Sequence, residues 1–197
     1  MIYRTVSLYD LMRQKVGKET INKILSNFSC PLNSDVEYFI QHKAYDFERV
    51  GLARTYLVYA QQSAKDIPVL AAIYSLGQSN VEISSDLSRK MKKKVFGTSY
   101  PMGKNIKTLL IGQLAKNYKN GSDKYITGDL LMRLVFERIK EIHMIFPSVV
   151  THIDCKNISA LRRYYEKFGF SLFKQKDDML IYLIPTQEIM RFLNTDE

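Results

Sequence analysis

A polar loop between an apolar run and a long amphipathic segment contains the residues best suited to bind an anion. The apolar run covers residues 109–115, LLIGQLA, and is short enough for a buried strand. Apolar residues then recur at helical spacing from Leu130 to Ile142. Thr127 or Asp129 could cap the start of this helix, because either side chain can accept a hydrogen bond from a free backbone N–H.

The order strand, polar loop and helix is typical of phosphate sites. At a helix N-terminus the unpaired amides point outward and the helix dipole favours negative charge. Lys116, Lys119 and Lys124 would add positive charge around that point. An ordinary turn with its lysines in solvent explains the same residues, so the pattern alone leaves both interpretations open.

A second stretch favours the phosphate site. Residues 157–170, NISALRRYYEKFGF, follow a strand-like run over residues 148–155. An Asn after a strand, followed by Tyr-Glu-Lys-x-Gly-Phe, placed behind a β-loop-α unit, resembles the GNAT superfamily of acetyl-CoA-dependent N-acetyltransferases. The resemblance implies an α/β (α+β) fold with a central mixed, mostly antiparallel sheet of about six or seven strands, flanked by helices.

The resemblance also implies how the residues would act. Acetyl-CoA would be the cofactor, held where the two parallel strands over residues 109–115 and 148–155 splay apart. Asn157 would lie near its pantetheine arm. Tyr165 would protonate the departing thiolate, and its neighbour Tyr164 would point elsewhere, because adjacent helical residues point about 100° apart. The residues expected to bind the cofactor are Leu114, Ala115, Lys116, Lys124, Tyr125, Ile126, Thr127, Gly128, Asp129 and Asn157.

The phosphate loop departs from the family pattern Gln/Arg-x-x-Gly-x-Gly/Ala. Residues 123–128 read DKYITG, so only Gly128 is retained. Ile126 stands where a Gly normally lets the backbone approach a phosphate, and Asp123 would repel one. Gly121 and a longer loop could compensate. The departure leaves a second class open, a binding protein that keeps the fold without the chemistry.

The N-terminal half resembles the acetyltransferase toxins of toxin–antitoxin modules. The matching features are a Phe28-x-Cys30 strand, a helix with Asp35, Phe39 and Ala44, and the run Arg54-Thr55-Tyr56-Leu57-Val58. Pro31 stands where those toxins commonly have Gly. This resemblance implies aminoacyl-tRNA as the acceptor; a protein or a small amine is the alternative acceptor. An acidic antitoxin and a second copy of the chain, as a homodimer, are the candidate protein partners.

The charge of the chain points to anionic partners. It has 29 Lys and Arg against 20 Asp and Glu, a net charge of +9. Five of the six residues Arg89–Lys94 are basic. They form either a solvated helix face or disordered loop, or a contact for the phosphates of a tRNA or for an acidic protein.

The remaining predictions concern organisation. One domain is expected over residues 1–197, with residues 1–27 as an N-terminal helical extension. No run is long enough for a membrane span and no signal peptide is evident, which indicates a cytoplasmic protein with reduced Cys30 and Cys155. No His or Cys spacing predicts a metal site. Glu37, Glu48 and Asp154 are candidates for a general base, and nothing in the sequence singles one out.

The predicted elements follow apolar periodicity and breaker residues. They are helices within residues 7–27, a strand at 28–30, a helix at 35–52 capped by Ser34 or Asp35, a hairpin of strands at 53–59 and 68–76, a hairpin at 171–175 and 179–184 with its turn at 176–178, and a closing helix at 186–193.

Overall fold

The computed structural model describes residues 1–83, 88–96 and 105–194. The strands are β1 (Ile2–Ser7), β2 (Ala53–Gln61), β3 (Val69–Glu82), β4 (Asn105–Lys116), β5 (Val150–Lys156), β6 (Ser171–Lys176) and β7 (Met179–Pro185). The helices are α1 (Leu8–Arg13), α2 (Lys18–Leu25), α3 (Ser34–Tyr38), α4 (Ala44–Arg49), α5 (Arg89–Phe96), α6 (Gly128–Ile145), α7 (Ser159–Lys167) and α8 (Thr186–Asn194). A π-helical turn, Phe39–Lys43, joins α3 to α4, and a 3₁₀ segment, Lys119–Tyr125, precedes α6.

The seven strands form one mixed sheet in the order β1-β2-β3-β4-β5-β7-β6. β4 and β5 run parallel, through the pairs Leu109↔Thr151 to Ile111↔Ile153. β1 with β2, β2 with β3, β5 with β7 and β6 with β7 pair antiparallel. The predicted GNAT-like sheet, mostly antiparallel with one parallel pair and flanked by helices, is confirmed.

The chain divides into two compact units. Unit 1 comprises Met1–Gly77 and Gly112–Leu134, and unit 2 comprises Gln78–Ile111 and Val135–Glu197. β3, β4 and α6 run through both units, so neither unit is a separate stretch of the sequence. That the whole chain is a single domain stays a prediction.

Unit 1 buries an apolar core beneath its N-terminal helices. Leu8, Ile21 and Leu25 from α1 and α2 are almost fully buried, and they share a cluster with Leu57 of β2 and Ile73 of β3. β2 is rich in β-branched and aromatic residues, which suit a pleated, half-buried surface. Burial of such side chains supplies most of the stabilisation of a unit of this kind.

The N-terminus is not wholly helical, and the predicted helical extension over residues 1–27 is wrong at its start. Residues 2–7 form β1, an edge strand paired with β2 from Ile2↔Gln61 to Ser7↔Tyr56. The predicted helices follow as α1 and α2. The sequence could not reveal β1, because a six-residue edge strand is stabilised by its partner strand rather than by its own pattern.

The predicted strand at residues 28–30 is also wrong. The amide of Ser29 donates to Asn117 Oδ1 at 2.9 Å, and the amide of Cys30 donates to the Glu37 carboxylate. Side chains therefore satisfy backbone groups that a strand would pair with a neighbour. The next helix begins at Ser34 with Asn33 as its cap, since Asn33 Oδ1 accepts from the amides of Asp35 and Val36.

Unit 2 is built on the β5-β7-β6 part of the sheet. On one side of these strands, rings of α6, α7 and α8 pack together: Phe136 contacts Phe168 and Phe192 with centroids 6.1 and 5.4 Å apart. On the other side lies α5, whose Val95 and Phe96 are buried with Leu183 of β7. The terminal hairpin and closing helix are where the sequence predicted them.

Both cysteines are buried and free. Burial raises the pKa of the Cys30 thiol and raises that of Cys155 to about 11. Within the described residues, no helix is long and apolar enough to cross a bilayer. In the same residues, no three His, Cys, Asp or Glu side chains are placed to hold a metal ion.

Candidate phosphate and acyl-transfer residues

The loop between β4 and α6 turns through two residues in the left-handed conformation. Asn120 has φ 55° and Gly121 has φ 72°, inside the 3₁₀ segment. Gly adopts this region freely and Asn tolerates it better than other residues with a side chain. The longer loop thus places its conformationally permissive Gly earlier than the family pattern does.

Ile126 does not obstruct the loop. Its backbone is extended, with φ −144° and ψ 139°, and its side chain is 3% exposed within unit 1. A residue with negative φ and an inward side chain needs no Gly in its place. The expected obstacle at Ile126 is therefore absent, and Gly121 provides the flexible turn instead.

Asp123 is paired within the loop. Lys116 Nζ donates to the Asp123 carbonyl at 3.1 Å and lies 4.0 Å from its carboxylate. The carboxylate is partly neutralised, so it would repel a phosphate less than the sequence indicated. Because the Lys116 ammonium is paired with Asp123, it is not available to bind a phosphate.

The start of α6 has the features of an anion site. Leu130 N donates to Thr127 Oγ1 at 3.2 Å, which identifies Thr127 as the cap; Asp129 lies in the first turn. Lys124 is exposed beside this end, and no ion pair is recorded for it with any residue the structure describes. Lys119 Nζ donates to the Ser26 carbonyl. Lys124 is thus the loop lysine best placed to meet a phosphate.

Asn117, which the sequence analysis missed, fixes the beginning of the loop. It is 2% exposed, and its side chain makes four hydrogen bonds of 2.8–3.1 Å. Its Oδ1 accepts from the amides of Ser29 and Lys119, and its Nδ2 donates to the carbonyls of Asn27 and Leu70. The only signal in the sequence was an Asn directly after an apolar strand.

The loop is also attached to β1. Tyr3 Oη donates to the carbonyl of Tyr125 at 3.0 Å.

The last residues of β4, Leu114, Ala115 and Lys116, are half-buried and follow the end of the parallel ladder at Ile111. All of the predicted cofactor residues from Leu114 to Asp129 therefore lie in unit 1, whereas Asn157 and Tyr165 lie in unit 2.

Tyr165 is buried on α7, near the rings of Tyr164, Phe170 and Tyr182. Burial raises its pKa well above the ordinary value, with smaller contributions from Cys155 and Tyr164. Across residues 1–83, 88–96 and 105–194, no hydrogen bond is recorded for its hydroxyl. The hydroxyl thus stays protonated at neutral pH and is not engaged by the unit's own groups.

The neighbours of Tyr165 differ from it in exposure. Tyr164 is half-buried and packs on Phe168 with a centroid distance of 5.2 Å. Asn157 is exposed just after β5, and its amide donates to the Asp178 carbonyl at 3.0 Å. Its side-chain amide faces solvent, so it is accessible to a ligand.

Of the three candidate bases, two accept hydrogen bonds from backbone amides and the third is exposed. Glu48 is 2% exposed and accepts from Thr55 N at 2.7 Å and Arg54 Nη1 at 2.6 Å; burial raises its pKa. Glu37 accepts from Ser29 Oγ and Cys30 N. Both hold backbone in place, and the half-exposed Asp154 lies 4.0 Å from His152 Nε2. None stands out as a base for an acceptor amine.

His152 forms a buried polar pair that the sequence did not indicate. It is 3% exposed, and its Nδ1 lies 2.7 Å from Thr108 Oγ1, which can also donate to the Ser79 carbonyl. Either neutral tautomer satisfies the contact: Nδ1–H donates to the Thr108 oxygen, or the Thr108 hydroxyl donates to a bare Nδ1. Burial lowers the pKa of His152, and the nearby Asp154 offsets only part of that effect.

We expect His152 to make unit 2 acid-sensitive. Its folded-state pKa lies below 6.5, so the folded state resists a proton that the unfolded state accepts. The free energy of unfolding should be unaffected above that value and should fall, as pH drops below it, by up to about 1.4 kcal/mol per pH unit. Urea unfolding of wild type and His152→Asn between pH 5 and 8 measures this, since Asn can donate to Thr108 without titrating. The exposed His42, changed to Asn, is the control; an unchanged slope in His152→Asn would contradict the assignment.

Comparison with known proteins identifies the fold. Neither a family model nor a curated protein sequence matches the chain. Several solved structures do match the chain. One of them, a bacterial toxin, matches at TM-score 0.69 and 17% identity over 98% of this chain and 96% of that one. A Tyr-to-Phe mutant of the toxin AtaT, bound to the C-terminus of the antitoxin AtaR and acetyl-CoA, matches at TM-score 0.60 and 15% identity over 85% and 89%. AtaT complexed with acetyl-methionyl-tRNAfMet matches at TM-score 0.62 and 17% identity over 97% and 99%. The fold is shared over nearly the whole length of these chains.

Proposed function

We propose that the protein is an acetyl-CoA-dependent N-acetyltransferase that acetylates the α-amino group of an aminoacyl-tRNA. The observation that carries the proposal is the loop between β4 and α6, where Gly121 takes the left-handed conformation and the side chain of Ile126 is buried, so that Ile126 does not block the approach to the N-terminus of α6. The shared fold with toxins crystallised with acetyl-CoA and with an acetylated aminoacyl-tRNA supports it.

The cofactor would be held by unit 1. Its pyrophosphate would meet the N-terminus of α6, from Thr127 to Asp129, with Lys124 as the flanking cation. Backbone groups of Tyr125 and Ile126 would line the approach. Leu114, Ala115 and Lys116 would present amides to the pantetheine and to the thioester carbonyl, and Asn157 would contact the pantetheine arm. Amides that are aimed at a developing oxyanion are worth about 3–4 kcal/mol each in acyl transfer.

The chemistry would be direct attack. The acceptor nitrogen forms a bond to the thioester carbonyl carbon, the carbon–sulfur bond of the tetrahedral intermediate breaks, and the ammonium proton is lost to water. The thiolate would accept its proton from Tyr165, whose raised pKa keeps the hydroxyl protonated until that moment, and the tyrosinate would then regain a proton from water. An α-amine titrates near 7.7–8 and is partly neutral already, so the lack of a dedicated base favours it over a lysine amine near 10.4.

Gly121 offers a test of the cofactor loop. Its φ of 72° strains any residue with a Cβ, although the added atom would meet only Lys124 side-chain atoms at 3.9 Å. Gly121→Ala should cost about 1–2 kcal/mol of stability and weaken acetyl-CoA binding about tenfold, measured by calorimetry. Gly51→Ala is the matched control, because Gly51 has φ 77° and open space around it. Equal affinities in the two variants would contradict a role for the loop.

The same proposal extends to partners and location. The similar toxin AtaT bound to the C-terminus of an antitoxin supports an acidic antitoxin for this basic chain and a toxin–antitoxin role. A cytoplasmic location and a homodimer are further parts of the proposal. Co-purification with the product of a neighbouring gene, followed by light scattering, tests both the antitoxin and the dimer. A monomer that co-purifies with no other protein would remove this part of the proposal.

The acceptor is tested directly with labelled acetyl-CoA and a cell extract split into RNA, protein and small-molecule fractions. We expect label in the RNA fraction that mild alkaline deacylation removes together with the amino acid. Label in protein or in small amines would transfer the activity to those acceptors. No transfer into any fraction, with saturable acetyl-CoA binding absent, would favour the fold without chemistry.

A further inference from the structure

α5 presents four cations on the face opposite its buried side. The helix begins after Ser88, whose Oγ accepts from Met91 N at 3.2 Å. Val95 and Phe96 are buried against the sheet, and Met91 packs on the same cluster. Successive residues turn by about 100°, which places the exposed Arg89, Lys90, Lys93 and Lys94 together on the opposite side. Residues 89–96 are therefore an ordered helix, not the disordered loop that the sequence allowed.

This arrangement is unfavourable for the helix itself. Arg89 and Lys93, and Lys90 and Lys94, are like charges at i,i+4, each pair costing about 0.2–0.5 kcal/mol. Arg89 and Lys90 also lie in the first turn, where the helix dipole disfavours cations. α5 contains no acidic residue to offset them. A helix face selected only for solubility would normally mix both signs of charge.

The edge strand β6 adds two lysines on the same side of the sheet. Lys174 pairs with Ile181 and Lys176 with Met179 of β7, and paired residues of neighbouring strands share a face. Ile181 packs into the cluster that also buries Val95 and Phe96, so this face is the one that α5 covers. A bulge at residues 172–174 produces this placement, which the alternation of the sequence alone would not show.

These cations outnumber the acidic residues beside them on the strands. Asp177 and Asp178, both exposed, follow Lys176 in the turn between β6 and β7. The register places Asp154 of β5 opposite Ile181, on the same face, and its carboxylate lies near His152. No ion pair is recorded for the six cations with any residue in the described ranges 1–83, 88–96 and 105–194. They are Arg89, Lys90, Lys93, Lys94, Lys174 and Lys176, and we call them the basic surface.

We propose that the basic surface binds the phosphate backbone of the RNA that carries the acceptor amine. This inference rests on the proposed function and adds a second contact, on unit 2, to the cofactor residues of unit 1. Its apolar neighbours Met91, Val95 and Phe96 turn inward, so the surface lacks the apolar anchors that dominate protein–protein interfaces. Cations without aromatic residues contact phosphates rather than bases, so binding should not depend on RNA sequence.

The experiment measures Kd for fluorescently labelled unfractionated tRNA at several salt concentrations. Each lost phosphate contact should lower the slope of log K against log salt by about 0.7–0.9. The variant Lys90→Gln/Lys93→Gln/Lys94→Gln should bind at least about tenfold more weakly near 0.1 M salt, with a slope reduced by roughly 2. The control Lys15→Gln/Lys23→Gln/Lys65→Gln makes the same change of net charge at exposed positions of unit 1 and should shift Kd by less than about threefold.

The outcomes separate this inference from the proposed function. Equal losses in the two triple variants would overturn it, because net charge alone would then account for binding. Weakened binding of poly-glutamate together with unchanged tRNA binding would overturn it in favour of an acidic protein. If wild type binds tRNA through the basic surface yet transfers no acetyl group, the surface stands and the proposed reaction fails. Gln is a good helix former and the control positions are exposed, so the melting temperature of both variants should match that of wild type.

Discussion

Tyr165→Phe should lower the turnover number for acetyl transfer by about 10²–10⁴-fold, the usual contribution of a positioned general acid. The change removes one oxygen from a ring that already packs among aromatic neighbours. The hydroxyl has no recorded hydrogen bond in the described part of the chain, so its loss leaves no partner unsatisfied. The melting temperature and the affinity for acetyl-CoA should therefore stay close to those of wild type. Single-turnover rates with acetylated tRNA as the product measure the effect.

Tyr164→Phe is the matched control, one residue away on the same helix. Tyr164 is half-buried and packs on Phe168, and its change should alter turnover by less than about threefold. A loss below threefold in Tyr165→Phe would remove Tyr165 from the chemistry. A large loss in both variants, with a lowered melting temperature, would indicate that α7 packing and not proton donation had been tested.

The pH dependence of the acetyl-transfer rate is a second test of Tyr165. Because burial raises the pKa of Tyr165, the hydroxyl keeps its proton throughout the range in which an α-amine becomes neutral. The rate should rise with pH as the acceptor amine loses its proton and should not fall again near pH 10. A weak acid with a raised pKa stabilises the departing thiolate first as a hydrogen-bond donor, and completes the transfer as the carbon–sulfur bond breaks.

The fold was predictable where the pattern was long and local. The amphipathic run of α6 and the YEKFGF ending of α7 each contain enough periodicity or motif to place an element. β1 and the segment at Phe28–Cys30 were not predictable for the opposite reason. Their conformations depend on groups far away in the sequence, the β2 ladder in one case and the side chains of Glu37 and Asn117 in the other.

In the candidate site, too, local properties were predictable from the sequence and properties that depend on the fold were not. Thr127 was one of two predicted caps, with Asp129 as the other, because capping is a local property; the structure identifies Thr127. Ile126 was taken as an obstacle, since a sequence cannot show which way a side chain points. Only burial and the negative φ of Ile126 reveal that the turn had moved to Gly121. The two lysines of β6 belong to the basic surface for a similar reason, because a bulge sets their face.

Asn117 determines whether the loop can exist at all, and Asn117→Ala should lower the free energy of unfolding by at least about 3 kcal/mol. The change leaves four backbone groups without partners; a fully buried group of this kind costs about 1–3 kcal/mol, and a part-buried one costs less. The four groups are the amides of Ser29 and Lys119 and the carbonyls of Asn27 and Leu70. Urea unfolding measures the loss, and affinity for acetyl-CoA should fall with it because the loop begins at this residue.

Asn117→Asp separates the hydrogen bonds from the shape of the side chain. Asp keeps the acceptor for the two amides but turns a carboxylate oxygen toward the two carbonyls, so its folded-state pKa should lie above the ordinary 3.9. Measured against wild type at the same pH, the variant should be least destabilised below the unfolded pKa of the new carboxyl, and the difference should grow as pH rises through its folded pKa. The comparison with wild type cancels the effect of His152, which both proteins contain. Asn33→Ala, which removes a partly buried helix cap, should cost only about 1 kcal/mol at every pH. If Asn117→Asp were as stable as wild type at pH 7, Nδ2 would not be the donor that joins the loop to β3.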